Sequence, residues 1–130
     1  MTNSAQRFAD ALQQLELDRD VEAFVAQVFG KDPELHRREL AHSPVKQGRD
    51  GATRFWQQYL DQFDEIRSTF HRVVDGAQLG VLEWVGEGVL KGGQPVTYEG
   101  VSVIDVDGTG AVTRFATWYD TTPFASAARS

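Results

Sequence analysis

Gly93-Gln94-Pro95-Val96-Thr97-Tyr98-Glu99-Gly100-Val101-Ser102-Val103-Ile104, then Asp107-Gly108-Thr109-Gly110, then Val112-Thr113-Arg114-Phe115-Ala116-Thr117-Trp118-Tyr119-Asp120, is the most informative part of the chain. It reads as two long β-strands joined by a tight glycine-rich turn, because β-branched and aromatic residues dominate it and Asp-Gly favours a hairpin. Apolar residues occupy both parities, so both faces of this part of the sheet are expected to be covered. In a small chain that implies a helix-lined pocket on one face and a partner on the other.

Toward the N-terminus the strand-like period continues through Gln78 to Leu90, bounded by the turn Gly92-Gly93, and through Glu65 to Val74, bounded by Asp75-Gly76. From Arg49 to Phe63 the period changes: Ala52, Phe55, Trp56, Tyr59, Leu60 and Phe63 recur at three and four, which predicts an amphipathic helix. Glu34 to Leu40 is a candidate strand, followed by a loop through His42-Ser43-Pro44 and preceded by a break at Gly30-Lys31-Asp32-Pro33. Two helices come first: about Ser4 to Leu17, with Phe8, Leu12 and Leu15 on one face, and Asp20 to Val28, with Asp20 as N-cap. Three helices followed by a long antiparallel meander is the order of an α+β domain whose helices pack on one face of a curved sheet. The tail after Phe124 is expected to fray.

With 130 residues and 41% hydrophobic content the chain is read as one domain, residues 1–130 with an ordered core of about 4–124, able to bury a core without staples. Cysteine is absent, which removes disulfides and thiolate chemistry. The net charge of -6, from 19 acidic and 13 basic residues, disfavours a nucleic-acid partner. The one basic cluster, Arg37-Arg38, reads as a solvated edge-strand face. The polar start of the chain has no signal-peptide core and no run spans a bilayer, so a cytoplasmic protein without membrane contact is expected. His36, Glu39 and His42 would not converge from a strand and a loop, and Gly86/Gly88 and Gly108/Gly110 do not open helices. No metal and no cofactor are called for.

The order of elements, the Gly48-Arg49-Asp50 lead-in to the third helix, and the segments Tyr98-Glu99-Gly100-Val101-Ser102-Val103 and Trp118-Tyr119-Asp120 resemble a SnoaL-like protein of the nuclear transport factor 2-like superfamily. The resemblance implies a cone-shaped curved antiparallel sheet with three N-terminal helices enclosing an apolar pocket, commonly in homodimers. That superfamily holds ketosteroid isomerases, polyketide cyclases, epoxide hydrolases, scytalone dehydratase and non-catalytic binding domains, so it specifies activity weakly. The isomerase pattern implies Glu39 as the catalytic carboxylate base and Trp56 as a pocket residue on the third helix. It fails at the oxyanion-hole positions, where Leu12 and Ser102 stand for tyrosine and aspartic acid. The Asp-Arg-Asp pattern of epoxide hydrolases fails too, with Thr117 at the last-strand aspartate and Val85 where an arginine would precede Glu87.

The same alignment implies that Tyr98, Gly100, Ser102, Ile104, Phe115, Thr117 and Tyr119 face the pocket, with Val101, Val103, Arg114 and Trp118 opposite. Trp56, Tyr59, Phe63, Tyr98, Ser102, Phe115, Thr117 and Tyr119 are therefore the expected substrate-binding residues. Glu39 and, second, Asp120 are the catalytic candidates; Asp120 shares its parity with Trp118 and would need a bulge to reach the pocket. Glu39 could equally be an exposed member of the run Glu34-Leu35-His36-Arg37-Arg38-Glu39, and His71 reads as structural. Of the alternating sets in Gln78 to Leu90, the one with Leu82, Trp84 and Gly86 is expected inside, leaving Glu83 and Glu87 at the surface.

The reading is a pocket enzyme working without a cofactor on an apolar, oxygenated small molecule by isomerisation, cyclisation or dehydration. A non-catalytic ligand-binding or interaction module is the alternative, and epoxide hydrolysis the lesser one. A homodimer through the outer sheet face, with Trp118 at its centre, completes the expectation.

Overall fold

The computed structural model of the protein describes residues 3–37 and 45–128, with side chains through Ala125 in the last segment. Helix α1 (Ser4–Asp18) turns Phe8, Leu12 and Leu15 into the core, as their spacing requires. It ends at Arg19, which takes the left-handed conformation (φ 58°) and donates its backbone N–H to the Leu15 carbonyl at 2.7 Å. Helix α2 (Val21–Val28) begins at once, its first turn capped by Asp20, whose carboxylate accepts the Ala23 N–H at 3.1 Å. Helix α3 (Gly48–Asp61) buries Ala52, Phe55, Trp56 and Leu60.

Six strands, β1 (Phe29–Arg37), β2 (Lys46–Gln47), β3 (Phe63–Asp75), β4 (Leu79–Leu90), β5 (Pro95–Val106) and β6 (Val112–Tyr119), form one sheet in the order β2-β1-β6-β5-β4-β3. The sheet is curved and unclosed, and the architecture is the expected α+β one. Helices α1 and α3 pack against it, joined by the Arg19 guanidinium, which donates to the carbonyls of Leu60 at 2.8 Å and Phe63 at 3.2 Å. Among the described residues no helix is long and apolar enough to cross a membrane.

The structure departs from the sequence reading in four places. The sheet is not wholly antiparallel: β1 runs parallel to β6, Leu35 opposite Phe115. A parallel pair needs a long crossover, and the whole chain from α3 to β5 supplies it. Strand β1 starts at Phe29 instead of Glu34, because Gly30-Lys31-Asp32-Pro33 is accommodated as a register shift against β6 instead of breaking the strand. Phe63 opens β3 instead of closing α3 and is fully buried. The C-terminal segment forms a fourth helix, α4 (Thr122–Ala128), anchored by Phe124, whose ring centroid lies 4.6 Å from that of Tyr98.

Candidate functional site

The space between α1, α3 and the inner face of the sheet is lined by aromatic rings. Trp56 sits at its centre, with the ring centroids of Phe115 at 5.0 Å, Phe24 at 5.1 Å, Phe55 at 5.2 Å and Tyr59 at 5.6 Å. Five of the described strands supply the opposite wall: Arg37 on β1, Ser68 on β3, Trp84 on β4, Tyr98 and Ser102 on β5, and Phe115, Thr117 and Tyr119 on β6. The cavity holds about 490 Å³ of empty space, its open mouth included.

Two glycines make this packing possible. A Cβ on Gly86 would come within 2.9 Å of the Tyr98 ring, and one on Gly100 would meet the backbone carbonyl of Trp118 and lie 2.6 Å from the Trp84 ring. Both rings therefore pack close against backbone that carries no side chain.

The polar groups of the cavity form two hydrogen-bonded clusters. In the first, the Glu16 carboxylate of α1 is 7% exposed and accepts three bonds of 2.7 Å: the Ser68 N–H on one oxygen, and the hydroxyls of Ser68 and Tyr59 on the other. Burial raises the Glu16 carboxyl above its ordinary value of 4.5, opposed by these bonds and by the charge of Arg67. Burial, together with neighbouring Tyr98 and Glu16, pushes the Tyr59 phenol well above its usual range. Tyr98 is raised too, chiefly by burial and by Tyr119. In the second cluster, the Trp84 indole N–H donates to Ser102 Oγ at 3.0 Å, and Ser102 Oγ lies 3.0 Å from Thr117 Oγ1.

Trp56, Tyr59, Tyr98, Ser102, Phe115, Thr117 and Tyr119 all line the one cavity, and Phe63 stacks behind Tyr98, centroids 6.2 Å apart. Glu39 lies outside the described residues, as does His42. Asp120 is exposed beyond the end of β6, where its carboxylate accepts the Thr122 N–H at 2.9 Å and caps α4; that bond lowers its pKa. His71 is exposed at a bulge of β3. Glu83 pairs with Arg72 across β3 and β4, outside the cavity, while Leu82 and Trp84 point inward.

Two site residues escaped the sequence reading. Glu16 stands four residues after Leu12 and eight after Phe8, within the apolar stripe of α1, and a carboxylate in that register was the available signal. Arg37, read as part of a solvated face, is half-buried and lines the cavity with its guanidinium 5.0 Å from the Phe55 ring centroid. The strand that carries it lies between β2 and β6 in the sheet, and Arg37 itself is registered against Thr117 of β6.

The sequence matches the family profile of the SnoaL-like domain over residues 5–115. The chain belongs to the SnoaL-like domain family. Among curated proteins none matches it. This SnoaL-like domain is similar in fold to an NTF2-like protein from Burkholderia pseudomallei K96243, with a TM-score of 0.80 and 14% identity over 98% of this chain and 99% of that one. TerC, co-crystallised with polyporic acid, superposes with a TM-score of 0.78 at 20% identity over 98% and 100% of the two chains. A loop-truncation variant of IdmH follows with 0.75 and 18% identity over 95% and 98%. Identities this low establish the shared SnoaL-like fold and nothing finer.

Proposed function

We propose that this SnoaL-like domain is a small-molecule enzyme that carries out acid–base chemistry, without a cofactor, on an apolar oxygenated substrate: an isomerisation, cyclisation or dehydration. The observation that carries the reading is the aromatic cavity with its few polar groups gathered in two clusters, one of them backed by a buried carboxylate. Trp56, Phe63 and Phe115 give the apolar wall, and Tyr98, Ser102, Thr117 and Tyr119 orient the substrate oxygen. Glu39 is the base by family position. It takes a proton from the carbon beside a carbonyl, the charge passes to the carbonyl oxygen under the hydroxyls, and in an isomerisation the same proton returns to another carbon.

A panel of enolisable aryl ketones tests this without the natural substrate. Exchange of their α-protons for deuterium, followed by NMR, is expected to be accelerated by the wild type and not by Glu39→Gln, whose ligand affinity should stay within about tenfold because the amide is nearly isosteric. Unchanged exchange in that variant rules out Glu39 as the base.

The second reading, a non-catalytic binding module, is favoured by one observation: among the described residues no carboxylate lines the cavity directly, Glu16 standing behind Tyr59 and Ser68. Wild-type protein that binds these ketones and never exchanges their protons would establish that reading. The outer face of the sheet, where Val101 and Trp118 pair across β5 and β6 with both side chains exposed, supports a homodimer in either case.

A further inference from the structure

The two polar clusters of the cavity differ in what they can offer a guest. In the first, the Ser68 and Tyr59 hydroxyl hydrogens are both directed at one Glu16 oxygen, and the other oxygen takes the Ser68 N–H. With both hydroxyls donating to Glu16, neither has a hydrogen left for a guest, and they face the cavity as oxygen lone pairs. In the second, three donors (the Trp84 N–H and the Ser102 and Thr117 hydroxyls) make two internal hydrogen bonds. Whichever hydroxyl donates between Ser102 and Thr117, the hydrogen of the other is left over. The same clusters thus form an accepting wall on α3 and β3 and a donating wall on β5 and β6. Tyr98 stands near Tyr59, where its own hydroxyl can turn to a guest or to that oxygen.

We propose that the cavity selects a neutral, ring-bearing molecule with a hydroxyl at one end, read by Tyr59 and Ser68, and a carbonyl or ether oxygen at the other, read by Ser102 and Thr117. A buried site that must receive a donor rejects an analogue lacking it, because its own acceptors are then left dry and unpaired. Glu16 acts here as a positioning residue: it touches no guest and sets the direction of two hydroxyl hydrogens. Glutamine in its place reverses that direction. The amide oxygen must stay with the Ser68 N–H, which puts the NH2 group against the Ser68 and Tyr59 oxygens and releases both hydroxyl hydrogens toward the cavity.

The proposal rests on the small-molecule reading above and goes beyond it in naming the ligand class, and its test is a ranking of affinities instead of turnover. Three probes are titrated calorimetrically at neutral pH: 2-naphthol, methyl 2-naphthyl ketone and a hydroxynaphthyl methyl ketone. Wild type should bind the hydroxy ketone about tenfold more tightly than either single-function probe. Glu16→Gln should lose several-fold for the naphthol and gain for the simple ketone, reversing their order. Ser102→Ala should lose the advantage that the carbonyl confers and keep that of the hydroxyl. Wild-type affinities within threefold of one another, no binding of any probe, or an unchanged order in a folded Glu16→Gln would each overturn the proposal; should that variant not fold, Tyr59→Phe must lose the hydroxyl's advantage. Failure of proton exchange with this ranking intact would remove the catalytic reading and leave the selectivity standing.

Discussion

Glu16 and Tyr59, 43 residues apart in the chain, meet across the wall of the cavity in a 2.7 Å hydrogen bond from the phenol to the carboxylate. The contact ties α1 to α3, and with Ser68 it ties both to β3. It places the one buried carboxylate of the described residues directly behind two groups that touch the cavity.

A charge buried in this way has a consequence for stability against pH. The folded-state pKa of Glu16 is raised above 4.5, mainly by burial, so the folded state holds that proton more tightly than the unfolded chain. Its contribution is therefore fully present below about 4.5 and is lost as pH rises through the raised value. Urea unfolding of wild type and Glu16→Gln over a pH series should show the wild type losing stability relative to the variant across that window. A difference that stays flat with pH would mean that the carboxyl titrates at its ordinary value.

Trp56 is 3% exposed and touches six other rings, and its indole N–H finds no hydrogen-bond partner among the described residues. Trp56→Ala should cost roughly 3 to 5 kcal/mol. Trp56→Phe should cost less than about 2 kcal/mol, because it keeps most of the ring contact and deletes a donor that makes no bond. Chemical denaturation measures both, and equal losses in the two variants would show that the N–H contributes.

Gly100→Ala should destabilise by about 1 to 3 kcal/mol, since the new methyl would press on the Trp118 carbonyl, which is fixed in β6, and on the Trp84 ring. Gly93→Ala offers a contrast: a Cβ there has nothing within 4 Å, and the cost comes only from its positive φ of 95°. The two variants should differ in near-ultraviolet circular dichroism, with the Trp84 signal altered in the first alone.

Val101 and Trp118, at 36% and 42% exposure, are opposite one another on the outer face of β5 and β6. A homodimer built there should have Trp118 as its aromatic anchor, and Trp118→Ala should shift sedimentation toward monomer. Wild type that sediments as a monomer at micromolar concentration would remove this interface.

Periodicity made most of the fold legible. Helix α3 and the strands from β3 to β6 were visible because alternation at two and recurrence at three and four are imposed by the backbone itself. The inward set Tyr98, Ser102, Phe115, Thr117 and Tyr119 followed from family position and lines the cavity, with strand alternation holding each on one face. What could not be read came from tertiary context. The parallel pairing of β1 with β6 leaves no local trace, and Arg37 looked solvated because its partner ring, Phe55, is brought to it by another element. Glu16 is hidden for the opposite reason: its position in the apolar stripe is visible, but the groups that make a buried carboxylate tolerable, Ser68 and Tyr59, lie far along the sequence.

The pairing of β1 with β6 also fixes when the cavity can exist. Glu34 is registered against Arg114, so the wall bearing Phe115, Thr117 and Tyr119 meets β1 only by closing a loop that contains α3 and strands β3 to β5. Closing so long a loop is entropically unfavourable and slow, and until it closes the rings around Trp56 have no lid. The hairpins from β3 to β5 can assemble early, from neighbours in sequence. The binding chamber is thus built on the pairing that spans the most sequence, and Phe115 on β6 completes the ring cluster around Trp56 only when that pairing is made.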